Sequence, residues 1–164
     1  MTLKIEDGSA YPDSQSYASV ADLRAYAKLR GKTVPPTDAA CEALLVAGMD
    51  YLEDQEYVGD RRTLTQAFKW PRMWAVVECW PIPATEIPRQ LIQAQCALAI
   101  EGQSVDLLPT QDINAPGQVV AESVGPISTT YVNTGNVRRV PAIARADALL
   151  RTLLKRSGLT AVRV

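Results

Sequence analysis

Four stretches of the chain repeat apolar residues at the three-to-four-residue spacing of an amphipathic helix. The first runs from Ser19, a natural N-cap, through Val20, Leu23 and Ala27 to a stop at Gly31. After the stiff Pro35-Pro36 step, Thr37 opens a second that continues to about Asp54, with Ala40, Leu44, Ala47 and Tyr51 on one stripe and Leu45 and Leu52 beside it. Its Glu53 and Asp54 sit at the wrong end for the helix dipole, with Arg61-Arg62 as the nearest answer. The third starts at Pro88, which suits a first turn, and carries Ile87, Leu91, Ala94 and Leu98 on one side with small Cys96 and Ala97 flanking, ending at Gly102. The fourth, over residues 142–157, sets Ile143, Ala146, Leu150 and Leu153 opposite Arg145, Arg151, Lys155 and Arg156, and stops at Gly158.

Between these helices the pattern changes. Residues 1–16 lack periodicity and predict an extended arm, frayed or held by a partner. Residues 55–87 are irregular and aromatic, with Tyr57, Phe68, all three tryptophans and Pro71, Pro81 and Pro83. Rings on a proline-stiffened loop wedge under helices to close a core. Stacking on nucleic-acid bases beside Arg61, Arg62, Lys69 and Arg72 is the functional rival. Residues 118–132 read as two β-prone runs around Gly125-Pro126, hence a hairpin with few large side chains to bury. The tail after Gly158 is mostly apolar and hints at a bound partner. The expected fold is mainly α: a four-helix domain with a β-hairpin excursion and extended N- and C-terminal arms. Its segments are an arm over 1–16, a helical core over 17–102, a loop and hairpin over 103–136, and a C-terminal helix and tail over 137–164.

Composition narrows the chemistry. The 164 residues are 47% hydrophobic and 21% charged, enough apolar surface for one ordinary domain. Histidine is absent, which removes the commonest general base and zinc ligand. Cys41, Cys79 and Cys96 have no metal or redox spacing, and read as reduced thiols in an intracellular protein. No phosphate-binding loop, dinucleotide fingerprint, nucleophile elbow or EF-hand loop occurs. The expectation is therefore a protein without enzymatic activity, metal or cofactor. No signal-peptide pattern begins the chain, and no apolar run approaches the roughly 18 residues of a membrane span. The formal charge of −1 conceals a polarity: the first 133 residues carry net −7, and the last 31 carry +6. Such asymmetry is either a solvated basic helix face or a docking surface for an acidic protein, another copy of the chain or nucleic acid.

The order of short motifs is similar to that of a family of tailed-phage and prophage proteins. Glu6-Asp7-Gly8, Pro12, Ser16-Tyr17, Ser19, Ala21-Asp22 and Tyr26 match its opening. Tyr51-Leu52, Gly59–Thr63, Gln66-Ala67 and Trp70-Pro71-Arg72 follow, then Ile82-Pro83, Ile87-Pro88 and the alanine-rich residues 93–99. Pro141, Asp147–Leu150 and Leu153-Leu154 match its close. Residues 73–80 depart from the family's glycine- and aspartate-containing loop, and 103–135 match least.

The family is often labelled DnaT-like single-stranded-DNA-binding, while its place among phage structural genes resembles that of head–tail connector (adaptor, head-completion) proteins. The resemblance implies a homo-oligomeric ring, dodecameric, in the neck of the virion after assembly in the host cytoplasm. That ring would sit under the portal protein, extend the DNA channel with transient contact to DNA, and dock the next neck or tail-completion protein. On this reading Arg138, Arg139, Arg151, Lys155, Arg156, Leu159 and Val162 meet the portal. Val124, Gly125, Pro126 and Ile127 would meet a neighbour or the distal neck protein. Trp70, Pro71, Arg72, Pro83 and Pro88 are structural motif positions. The rival is a single-stranded-DNA-binding module using the basic tail and the tryptophans.

Overall fold

In a computed structural model of the chain, the described residues are 3–108, 121–124, 127–130 and 143–155, the two short runs at 121–130 by their backbone alone. The chain divides into two units, Met1–Leu107 with Ala142–Val164, and Leu108–Pro141. The described residues of the first unit form four helices, α1 (Val20–Lys28), α2 (Asp38–Glu53), α3 (Arg89–Glu101) and α4 (Ala144–Leu150), with α3 packed against the other three. Two two-stranded antiparallel ribbons lie between α2 and α3: β1 (Asp60–Arg61) with β2 (Arg72–Met73), and β3 (Val76–Val77) with β4 (Trp80–Pro81). In the second unit β5 (Ala121–Val124) pairs antiparallel with β6 (Ile127–Thr130), Val124 opposite Ile127. The mainly helical architecture with a hairpin at 121–130 agrees with the hydrophobic pattern.

Local chemistry explains the helix starts better than their faces. Ser19 closes a capping box with Asp22, each side chain bonding the other residue's backbone N–H. Thr37 precedes α2, but its hydroxyl makes no capping bond. α2 buries Cys41, Leu45, Gly48, Met49, Tyr51 and Leu52, so Tyr51 of the expected stripe and Leu45 and Leu52 beside it are inside, but the face is rotated toward Gly48 and Ala47 faces solvent. Gly48 sets that rotation: a Cβ there would lie 3.3 Å from the Gln95 carbonyl, so α2 and α3 approach closely where no side chain intervenes. α3 is buried over Leu91 and Ala94–Ala99, which makes it the central helix.

The N-terminal arm is anchored within the chain. Ile5 bridges Ser16, and the buried Glu6 carboxylate accepts from the N–H groups of Gly8, Ala10 and Tyr11 and from the Ser14 hydroxyl. Gly8 adopts φ +104°, and a Cβ there would collide with the Thr85 carbonyl oxygen, so both the backbone angle and the close approach require glycine. Residues 3–16 are therefore tied down by bonds within the chain rather than frayed.

One side chain joins the arm to the helices. Gln95, fully buried on α3, accepts from the N–H groups of Tyr17 and Ala18 at 3.1 and 2.8 Å, and donates to the Ser16 hydroxyl at 2.7 Å and the Leu45 carbonyl at 3.0 Å.

α4 is shorter than the helix expected over 142–157. After Leu150 the chain turns, Leu154 forms an antiparallel bridge with Tyr57, Val58 N–H donates to Leu153, and Lys155 N–H donates to Glu56. Pairing with the segment after α2 satisfies backbone groups that a longer helix would have bonded internally. The tail after Gly158, and the arm expected there, lie outside the described residues.

Replacing Gln95 with Ala takes the acceptor from the buried Tyr17 N–H, leaves the Ala18 N–H with only the Ser16 hydroxyl at 3.2 Å, and removes the donor to the Leu45 carbonyl. Gln95→Ala should cost roughly 2–4 kcal/mol in urea unfolding, and a loss below about 1 kcal/mol would show that Gln95 does not hold the arm.

Candidate functional site

The tryptophans divide into one core residue and two surface residues. Trp70 is fully buried and meets the Tyr57 ring edge-on at 6.1 Å. Trp74 and Trp80 are 73% and 78% exposed, so the expected wedging under the helices holds for one ring of three. The same loop also forms two strand pairs that its composition did not announce.

The Trp70-Pro71-Arg72 motif builds the floor beneath the exposed pair. The Arg72 guanidinium donates to the carbonyls of Val58 (2.7 Å), Lys69 (3.1 Å), Tyr57 (3.3 Å) and Gly59. Partial burial holds Arg72 below the usual arginine range, though carbonyl oxygens surround its charge. Lys69 Nζ donates to the Gln55 carbonyl at 2.7 Å, Arg62 donates to the Gly8 carbonyl at 2.6 Å, and Arg61 lies 3.9 Å from Glu53. All four cations named as companions for stacked bases are thus engaged within the fold. Arg61 answers Glu53 as expected, whereas Arg62 turns to the arm.

Glu53 is the hinge between α2 and this floor. It accepts twice from Lys69 N–H, at 2.9 and 3.1 Å, and from the Tyr17 hydroxyl at 3.3 Å. Tyr17 Oη in turn accepts from Trp70 N–H at 3.1 Å. Burial raises the Glu53 carboxyl above its ordinary value, and burial with the nearby Glu53 charge raises Tyr17 as well.

Above the floor, β3 and β4 join through Glu78 and Cys79, both at positive φ (51° and 70°), as a two-residue hairpin turn requires. Trp74 adds a third positive φ, 55°, four residues earlier. Non-glycine residues in this region cost of order 1 kcal/mol or more each. That strain shapes a short ribbon that displays Trp80 and the turn before it that displays Trp74.

Trp80 borders a cleft of about 330 Å³ that is also lined by Pro83, Glu86, Pro88, Arg89 and Leu153. Pro83 and Pro88, expected as structural positions, are cleft walls. Leu153 brings the end of the α4 segment to this cleft, and Arg151 and Lys155 on either side of it in sequence are exposed. Asp147, the acid of α4, accepts from the Tyr51 hydroxyl at 3.1 Å, and burial with that neighbouring charge pushes Tyr51 up to about 12.

Of the residues assigned to portal contact, Arg151 and Lys155 are therefore surface cations, and Arg138, Arg139, Arg156, Leu159 and Val162 lie outside the described residues. Val124 and Ile127 close the β5–β6 register, while Gly125 and Pro126 lie outside the described residues. Sequence reasoning missed Arg89 and the distinct placement of Trp74 and Trp80. The hairpin was hidden because Glu78-Cys79 occupies a turn that usually signals itself with Asn or Gly.

A family model matches residues 1–164, the whole chain, under the description "Putative DnaT-like ssDNA binding protein". The chain belongs to this family. No curated protein and no solved structure matches it. Among the described residues of this DnaT-like chain, no group of three or more His, Cys, Asp or Glu side chains could hold a metal ion, and no helix is long and apolar enough to cross a membrane.

The raised Glu53 carboxyl sets a pH dependence. A group that binds its proton more tightly in the fold contributes stability that grows as pH falls through its folded pKa toward 4.5. Asp7 and Asp13, lowered by Ser9 and Lys4, act in the opposite direction and only below 3.8. Denaturant unfolding of wild type and Glu53→Gln at pH 7 and pH 5 should show wild type gaining on the variant at pH 5, and equal responses would contradict the assignment.

Proposed function

We propose that this chain binds single-stranded DNA, with Trp80 and Trp74 as stacking surfaces and Arg89, Arg151 and Lys155 as phosphate contacts. The observation that carries the reading is two exposed indoles, Trp80 on the β3–β4 ribbon at the cleft reached by the basic end of the α4 segment, and Trp74 just before that ribbon at positive φ. Every base offers a π-face, so such rings bind a strand without reading its sequence. The description of the family points the same way. Positive charge is concentrated in the last 31 residues, so a strand is attracted to one region of a chain that is acidic elsewhere.

Anisotropy of a labelled oligo(dT) titrated with protein tests this. Trp80→Ala should weaken binding by about 5- to 100-fold, the worth of one stacked base. Arg151→Ala with Lys155→Ala should reduce the slope of log affinity against log salt by roughly 1.4, about 0.7 per phosphate contact on a single strand. Unchanged affinity in both variants overturns the reading.

A second reading is favoured by one observation: Arg61, Arg62, Lys69 and Arg72 are engaged internally, while Leu64 (94% exposed), Trp74 and Val76 present apolar surface. Apolar surface near cations whose donors are already engaged suits a protein partner. On this reading the chain is a phage head–tail connector subunit, its acidic body and basic C-terminal region giving complementary faces for a ring under the portal, with the next neck protein below. Mass measurement of the purified chain, alone and with portal, should then show a ring-sized species. A monomer in both conditions removes this second reading.

A further inference from the structure

A second cluster of positive charge lies away from the tryptophans, where α1 and α3 end and α4 begins. A cavity of about 210 Å³ there is lined by Tyr26, Arg30, Lys32, Ile100, Glu101 and Arg145. Tyr26 arranges both guanidinium groups. Arg30 lies over its ring, with Cζ 3.5 Å from the centroid, and donates through Nη1 to the Tyr26 carbonyl at 3.3 Å. Arg145 Nε donates to the Tyr26 hydroxyl at 3.1 Å. Lys32 is placed by its own N–H, which donates to the Ala27 carbonyl at 3.0 Å.

Charge and hydrogen bonding in this cluster are both incomplete. Arg30 Nε is buried and has no hydrogen-bond partner, so one donor of a fixed, planar set is unused. Three cations converge on a wall that offers Glu101 as its carboxylate. The C-terminal ends of α1 and α3 offset about half a charge each. Roughly one positive charge is left over, and the remaining donors belong mainly to two arginines, the side chain whose fork matches phosphate oxygens.

We propose that this cavity is a binding site for a phosphate group, held by Arg30, Arg145 and Lys32 against the Tyr26 ring. The phosphate comes either from a nucleic-acid backbone or from a small free phosphate. α3 separates it from the Trp80 cleft: Arg89 at one end and Glu101 at the other are roughly 18 Å apart at 1.5 Å per residue. The site shares no residue with that cleft, so it stands or falls independently of the single-stranded-DNA reading above.

The experiment uses the full chain with two probes. Nitrogen–proton NMR follows the Arg30 Nε–H signal during titration with inorganic phosphate and, separately, with an unlabelled oligo(dT). The double variant Arg145→Gln, Lys32→Gln, which replaces two exposed side chains, is titrated alongside. Both probes should shift the signal in wild type, with affinity reduced about tenfold or more in the variant. The salt slope for oligo(dT) should fall by roughly 1.4. A shift with phosphate and none with oligo(dT) supports the site and assigns it to a free phosphate, and the reverse assigns it to a strand backbone. No shift with either probe, in a variant and wild type of equal thermal stability, overturns the proposal. Loss of binding in Trp80→Ala with an intact response here, or the converse, separates the two sites.

Discussion

One buried amide joins the N-terminal segment, α2 and α3. Gln95 offers a carbonyl oxygen to two consecutive backbone N–H groups and its amide to a hydroxyl and a helix carbonyl, so all of its strong hydrogen-bonding directions are used at a fully buried position. The chain just before α1 has no strand or helix of its own to satisfy these groups. Gln95 supplies what secondary structure would otherwise provide, and it does so at the point where Gly48 lets α2 come closest. Tyr17, oriented by this contact, then reaches Glu53 and Trp70 through its hydroxyl. The chain of bonds thus runs from the central helix to the aromatic loop.

That loop shows how a polar interior can support an apolar display. Arg72 and Lys69 spend their donors on backbone carbonyls, and Gln66 does the same with those of Phe68 and Pro71. An irregular segment without a regular ladder becomes rigid because side chains replace the ladder. Rigidity is needed, since a ribbon with two positive-φ residues in its turn and a third, Trp74, just before it would relax if its base were loose. The loss of four cations to internal bonding moves the available positive charge to Arg89, Arg151, Lys155 and the Tyr26 cluster.

Helix number, order and approximate limits were legible because Ser19, Pro88, Gly31 and Gly102 punctuate periodic runs. The faces were less so. α2 is apolar nearly all round, and a glycine at its contact with α3 carries no hydrophobic signal, so the stripe was read one position away. Gln95 looked like a polar interruption of α3, because a residue satisfied by groups 50 and 79 positions away leaves no local pattern. The early end of α4 depended on Tyr57 and Glu56, equally distant in sequence. At the candidate site, residue type showed that aromatic rings and cations were present. Which rings faced outward, and which cations were already bonded, was decided by contacts that no spacing encodes.

The unequal placement of the three indoles has an optical consequence. Trp70 emits from a dry interior against Tyr57, while Trp74 and Trp80 emit from water. A water-soluble quencher such as iodide reaches the latter two and not the first, so the intrinsic emission separates into a buried component that reports on the fold and an accessible one that reports on the ribbon. The protein carries two independent dyes, one for its integrity and one for whatever comes to rest on its surface.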